Sequence, residues 1–263
     1  MDYKKLIKDI LTWNTPDLRK RADLLFRRIK RFIFAITHTS QIDVRDIPVV
    51  INNRNRLTYP LMLIDWLEKA GMKKIIIIDN ASTYPPLLEY YSRTTHRVIR
   101  LSENIGPLAI WWCDELKEVV SGFYIYTDPD VLPDHAPGVE AFELMLAGLK
   151  KHLTLDKIGY ALRIDDLPET FALKKDVVKW EEQFWKNKVS NEFFAAPVDT
   201  TFAMYAPYAR GGGECKAFRT NFPFVAKHLP WYENSANPGE ENLYYRTHAA
   251  AQNSHWTNLM NVR

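Results

Sequence analysis

The chain has 263 residues, 46% of them apolar and 25% charged, with a net charge of +3. These proportions belong to a globular domain that buries its own core without disulfides or a structural metal. They exclude a disordered or collagenous chain, and so small a charge gives no electrostatic reason to expect a nucleic-acid partner. Cys113 and Cys215 are the only cysteines, with no CxxC or Cys/His cluster, so neither a zinc site nor a disulfide framework is indicated. No window approaches the ~20 apolar residues of a membrane span. The N-terminus is charged from Asp2 onward and lacks a signal-peptide pattern, which leads to the expectation of a cytoplasmic protein.

Two amphipathic helices are predicted at the start. The first carries Leu6, Ile7, Ile10 and Leu11. After Asn14-Thr15-Pro16 the second runs through Leu18, Leu24, Leu25, Phe26, Ile29, Phe32 and Ile33. Its polar positions hold Arg19, Lys20, Arg21, Arg27, Arg28, Lys30 and Arg31, a pattern that suits either a peripheral membrane contact or a packed helix with a solvated basic face. Strands follow at 47–51, 74–78, 96–101 and 123–126, separated by helices at 59–70, 85–91 and 110–120. Such alternation predicts an α/β fold with a mostly parallel central sheet, and the apolar run 75–78 calls for cover on both faces. The second half is less regular: helices at 139–152, 174–185 and 240–251, strands at 158–164 and 200–205, and a hairpin or mobile loop over 207–220 around Gly211-Gly212-Gly213.

Ligands of open parallel sheets collect beyond the carboxyl ends of the strands. The four strand exits here read Asn52-Asn53-Arg54-Asn55-Arg56, Asp79-Asn80-Ala81-Ser82-Thr83, Ser102-Glu103-Asn104-Ile105-Gly106-Pro107 and Asp128-Pro129-Asp130. Neither the dinucleotide-binding glycine fingerprint nor a Walker loop occurs, which argues against a dinucleotide enzyme or a P-loop ATPase. Asp128 and Asp130, two residues apart at a strand end, are suited to a hard divalent cation, Mn2+ or Mg2+, that bridges diphosphate oxygens.

Taken in order, segments 47–53, 75–83, 100–106 and 124–132 resemble the nucleotide-binding half of GT-A glycosyltransferases, especially the family-2 type. The shared marks are an Asp followed by small and hydroxyl residues after the second strand, an Asn-x-Gly after the third and an Asp-x-Asp after the fourth. Each mark is loose, and their order and spacing carry the likeness over residues 47–132. The resemblance implies that Asp79 contacts the base, uracil by analogy, with Asn52, Asn53 and Arg54 near base and ribose. Asn104 and Gly106 line the same site, Asp128 faces ribose or metal, and Asp130 holds the metal. The stretches around Asp165-Asp166 and His228-Leu229-Pro230 depart from the family-2 pattern and are similar to GT-A proteins of surface-polysaccharide synthesis.

The domain reading that follows is an N-terminal amphipathic helical extension over 1–44 and a catalytic domain over 45–263, divided into a nucleotide-binding half, 45–135, and an acceptor and metal-completing half, 136–263. By the same likeness His228 completes the metal shell; a backbone-bonded turn histidine is the plainer reading. For the proton of the acceptor hydroxyl the candidates are Asp166, Asp199 and Glu241, each also at home as an ordinary turn, strand-start or helix-start acid. The expected activity is transfer of a sugar from a nucleoside-diphosphate sugar to a glycan or lipid-linked acceptor. A sugar nucleotidyltransferase or a non-catalytic carbohydrate-binding domain are the alternatives, the former disfavoured because the first strand exit has no glycine.

Overall fold

The computed structural model describes residues 16–37, 42–199, 201–211 and 215–248, with side chains in the first helix from residue 22 onward. The predicted helix around Leu6 to Leu11, the last residues of the helix expected over 240–251, and Gly212 and Gly213 lie outside the described residues.

Helix α1 (Pro16–Thr37) precedes β1 (Val49–Asn53), α2 (Thr58–Lys69), β2 (Ile75–Asp79), α3 (Pro85–Arg93), β3 (Arg97–Arg100) and β4 (Tyr124–Thr127). Then come β5 (Val131–Pro133), α4 (Glu140–Lys151), β6 (Lys157–Gly159), β7 (Ala161–Leu162), α5 (Lys174–Glu181), β8 (Phe193–Ala195), β9 (Ala203–Tyr205), β10 (Ala217–Thr220), β11 (Val225–His228) and α6 (Glu240–His248). Among the described residues the main sheet has eight strands in the order β3-β2-β1-β4-β9-β6-β10-β8, and a small sheet has the order β5-β11-β7. Strands β3, β2, β1 and β4 pair in parallel, and β9 joins β4 to β6 by antiparallel pairing on both sides. The molecule is therefore a mixed α/β protein with a large, mostly parallel sheet flanked by helices.

β1, β2 and β4 are buried at every residue, as expected of parallel strands covered on both faces. The core around them is unusually aromatic. Tyr124 and Tyr205 stack at 4.9 Å across the β4–β9 pair, and Phe142 of α4 stacks on Phe202. Each buried hydroxyl needs a partner. Tyr124 donates to the Ala209 carbonyl at 2.7 Å and receives the Trp111 indole N–H at 2.9 Å, while Tyr126 donates to the Pro107 carbonyl at 2.7 Å.

Three sequence expectations are corrected. The helix predicted over 110–120 is three short 3-10 turns, Ala109–Trp111, Asp114–Leu116 and Val119–Ser121. Trp111 is held inward against Tyr124, Tyr126 and Tyr205, so tertiary packing overrides the local pattern. The single strand predicted over 158–164 is split at Tyr160 into β6 and β7, which belong to different sheets. Of the segment 207–220, expected as a hairpin or mobile loop, the last four residues instead form β10, which pairs in parallel with β6 and antiparallel with β8.

Helix α1 is tied to the body by a buried arginine. Arg31 donates to the Asp156 carboxylate and the Leu155 carbonyl, both at 2.7 Å, and to the Pro207 carbonyl at 3.2 Å. Asp156 uses its second oxygen to accept the Lys216 N–H at 2.9 Å. Phe34 adds an edge contact to Phe123. Arg31→Met should leave the Asp156 charge buried without its cation and cost about 3–5 kcal/mol in chemical denaturation. A loss below about 1 kcal/mol would mean that the helix is only draped over the body.

Candidate functional site

The order of the first four strands reverses beside β1: β2 and β3 lie to one side of it and β4 to the other. In parallel sheets the crevice at the carboxyl ends beside such a reversal is where ligands bind. Here three strand exits are sewn together by side-chain amides. Asn80 donates to the Gly106 carbonyl at 2.9 Å and accepts the Ile105 N–H at 2.8 Å. Asn52 donates to the same carbonyl at 3.3 Å, and Asn104 accepts the Gly106 N–H at 3.0 Å. Gly106 sits at φ 81°, a conformation that favours glycine. Asn55, itself left-handed at φ 51°, accepts the Thr83 and Tyr84 N–H groups at 2.7 and 3.1 Å.

Asp79 is 0% exposed, and both its oxygens are engaged. One accepts the Ser82 N–H at 3.1 Å, the other the Arg100 Nε–H at 3.2 Å. Its carboxylate organises the β2 exit, and because the side chain is fully buried a direct contact with a base would require the exit around it to open. Asn53 donates to the Arg56 carbonyl and the Tyr91 hydroxyl. Arg54 donates to the Asn80 carbonyl at 3.0 Å, yet its buried Nε has no partner, and the same holds for Arg56 Nε.

The acidic pair lies on the other side of β1. β11 runs antiparallel to β5, with His228 opposite Val131, which brings His228 beside Asp130. The Leu229 N–H closes the pairing on the Asp130 carbonyl at 2.8 Å. His228 Nε2 is 3.7 Å from Asp130 Oδ1, too far for a direct hydrogen bond and less than twice a metal–ligand bond of about 2.1 Å. Nδ1 of the same ring is buried without a partner. Burial pulls the His228 pKa below its usual value against the opposing pull of Asp130, which keeps the ring in the neutral form that coordinates metals. No group of three or more His, Cys, Asp or Glu side chains suited to one metal occurs among the described residues. An Asp and a His suit a divalent cation whose other ligands are water and substrate phosphate oxygens, and in that sense the donor set fits Mn2+ or Mg2+.

Two residues outside the set expected to bind donor or metal complete this corner. Arg56 lies 3.9 Å over the Tyr245 ring and is bonded to Asn242 of α6. Burial raises the Tyr245 hydroxyl pKa, Asp130 and Asp128 push it further up, and Arg56 and Arg54 oppose them. Arg54, Arg56, Asp128, Asp130 and Tyr245 therefore share one electrostatic neighbourhood. Arg56 was visible as part of a polar strand exit; Tyr245 carried no signal, because α6 returns to the site from the far end of the chain.

The remaining candidates are dispersed. Asp166 accepts the Tyr232 hydroxyl at 2.5 Å and pairs with Lys227 at 3.0 Å and Arg163 at 3.3 Å, and Asp134 bridges the same two cations. Lys227 and His228 are adjacent in β11 and point to opposite faces, so this network lies across the small sheet from the Asp130–His228 pair. Trp231 is buried against His228, in the core. Glu241 caps helix α2, accepting the Thr58 N–H and hydroxyl at 2.9 and 2.8 Å. Asp199 gives its carbonyl to the buried Lys157 ammonium at 2.9 Å. Burial lowers the Lys157 pKa, while Cys215, Asp199 and Asp128 oppose that shift. Gly211 packs on the Trp111 ring, where a Cβ would come within 2.5 Å of it.

No protein-family model matches the chain, and no curated protein matches it. Among solved structures it is similar to GalNAc-T7 in a crystal with UDP, GalNAc and Mn2+, at 13% identity and a TM-score of 0.42, covering 70% of this chain and 43% of that one. It is also similar to the 4-diphosphocytidyl-2C-methyl-D-erythritol synthase of Anaerococcus prevotii, at 8% identity and a TM-score of 0.29, covering 83% of this chain and 84% of that one. This chain thus spans less than half the length of GalNAc-T7, and neither likeness carries a residue role, substrate or activity across.

The Asp166 network has a pH signature. Burial alone would raise the Asp166 pKa, but hydrogen bonds from Tyr232 and Lys227 and the nearby cationic charges outweigh it and hold the carboxyl below its ordinary 3.8. A depressed carboxyl contributes stability that is complete above 3.8 and disappears as pH falls through the lower folded value. Asp166→Asn should therefore cost about 1 kcal/mol at neutral pH, and the gap from the parent protein should close in acid, read from urea midpoints. A gap independent of pH would make the contribution one of packing.

Proposed function

We propose that this chain is a metal-dependent glycosyltransferase that takes a nucleoside-diphosphate sugar, a UDP-sugar by preference, as donor and a glycan or lipid-linked glycan as acceptor. The observation that carries the reading is the Asp130–His228 pair, 3.7 Å apart at the β4 exit, with the charge of Arg56, whose buried Nε lacks a partner, acting on His228. Carboxylate, neutral imidazole and guanidinium together match a metal diphosphate, an anion that needs a hard cation and hydrogen-bond donors at once.

In this proposal the amide-braced crevice of Asn52, Asn53, Asn80, Asn104 and Gly106 receives the nucleoside, with Asp79 fixing the exit beneath it. Asp130 and His228, completed by water and substrate phosphate oxygens, would hold Mn2+ or Mg2+, which when bound would neutralise the departing diphosphate, and Asp128 would face the ribose. Arg54 and Arg56 offer N–H donors to phosphate oxygens. The acceptor hydroxyl oxygen forms the new bond to the anomeric carbon as the bond from that carbon to the phosphate oxygen breaks. A carboxylate takes the hydroxyl proton if the anomeric centre inverts. Asp199 is the first choice for that role, because Glu241 caps α2 and Asp166 lies on the far face of the small sheet. Synthesis of a surface polysaccharide is the setting that this chemistry would serve.

The test is calorimetric titration of UDP with Mn2+ or with a chelator, together with a donor screen that reads release of nucleoside diphosphate. Metal should tighten UDP binding, and Asp130→Asn should reduce turnover by about a hundredfold or more. His228→Ala should raise the metal concentration needed for half activity. Binding and turnover unaffected by chelator would overturn the proposal. Release of pyrophosphate from a nucleoside triphosphate and a sugar phosphate would make the protein a nucleotidyltransferase instead.

A further inference from the structure

Helix α1 is docked by the side of its surface that amphipathic helices usually turn to water. At 100° per residue, Arg31 and Phe34, which hold it to the body, lie opposite an arc of roughly 120° containing Leu25, Phe26, Ile29, Phe32, Ile33 and Ile36. Those six apolar side chains are between 47 and 60% exposed. They form one continuous stripe facing away from the molecule, whereas an ordinary surface helix would bury them. Arg28 borders the stripe beside Phe32. Lys30 borders its other edge beside Phe26, with its ammonium 4.5 Å from that ring. The helix sequence holds seven Lys and Arg against two Asp, and one of the acids, Asp23, is paired to Arg27 at 3.0 Å.

We infer that this stripe is a docking face for an anionic lipid bilayer, with α1 lying in the plane of the interface. No helix among the described residues is long and apolar enough to cross a membrane, which leaves surface insertion as the way lipid covers the stripe. The charge pattern selects lipid over a second copy of the chain. Two copies joined along the stripe would bring cationic borders together with almost no acid to pair them, whereas an anionic headgroup layer pairs with both borders while its acyl region takes the apolar side chains. The Arg31–Asp156 clamp fixes the helix to the body, so insertion would seat the whole molecule on the membrane. The inference depends on α1 alone and stands or falls separately from the reaction proposed above.

The experiment is co-sedimentation of the full chain with phosphatidylcholine vesicles, with and without phosphatidylserine, alongside light scattering of the protein without lipid. Binding is expected only with phosphatidylserine present and should be released by salt. Ile29→Ser with Phe32→Ser should weaken it on the order of a hundredfold, with the melting temperature unchanged because both side chains are already exposed. Arg28→Glu should weaken it about tenfold. No binding to anionic vesicles, or equal binding by the double variant, overturns the inference. A lipid-independent dimer that the double variant dissociates would assign the stripe to a second copy.

Discussion

β1 is paired in parallel on both sides and buried along its whole length, between β2 and β4. The rest of the molecule answers to that placement. Parallel strands end on the same edge of the sheet, and strands buried on both faces hand their chain to that edge with backbone polar groups that still need partners. The asparagines at 52, 53, 55, 80 and 104 meet that need, each bonding to backbone from a neighbouring exit or its own. The edge is polar because the fold requires it, and a polar, preorganised edge is what a nucleotide can use.

The acidic corner depends on a second constraint, the pairing of a short strand from late in the chain. A β11 shifted by one residue against β5 would turn His228 to the other face and Lys227 toward Asp130. The Leu229 N–H on the Asp130 carbonyl and the Lys227 network on the opposite face fix the register from both sides. The salt-bridge cluster around Asp134, Arg163 and Asp166 thus acts on the candidate metal pair by holding the strand in place.

The same division between holding and presenting recurs in α1. Its arginine face supplies the bonds that a buried attachment needs, and its apolar face is left outward. A helix that served only to cover the sheet would gain more by burying that apolar face, at about 25 cal/mol for each Å² removed from water.

Much of the layout follows from the sequence alone. The runs 47–51, 74–78 and 123–126 are long enough in β-branched and aromatic residues to fix strand identity, and with the intervening helices they dictate parallel pairing and a common polar edge. The real strands begin one or two residues later than those runs, because pairing geometry rather than composition sets their ends. Asp128, Asp130 and the Asn-x-Gly turn were legible as polar residues where chains leave a buried strand. What only the tertiary structure decided depends on contacts between distant segments. Nothing local shows that Tyr160 breaks one apolar run into strands of two sheets, that Trp111 draws 109–121 into short turns, or that 217–220 crosses to lie beside β6. Nor does local pattern distinguish Glu241 as the cap of a helix 183 residues away from Glu241 as a catalytic base. Charge and periodicity mark a residue as polar and placed at an edge; its partner is set by strand register and by which segments the core brings together.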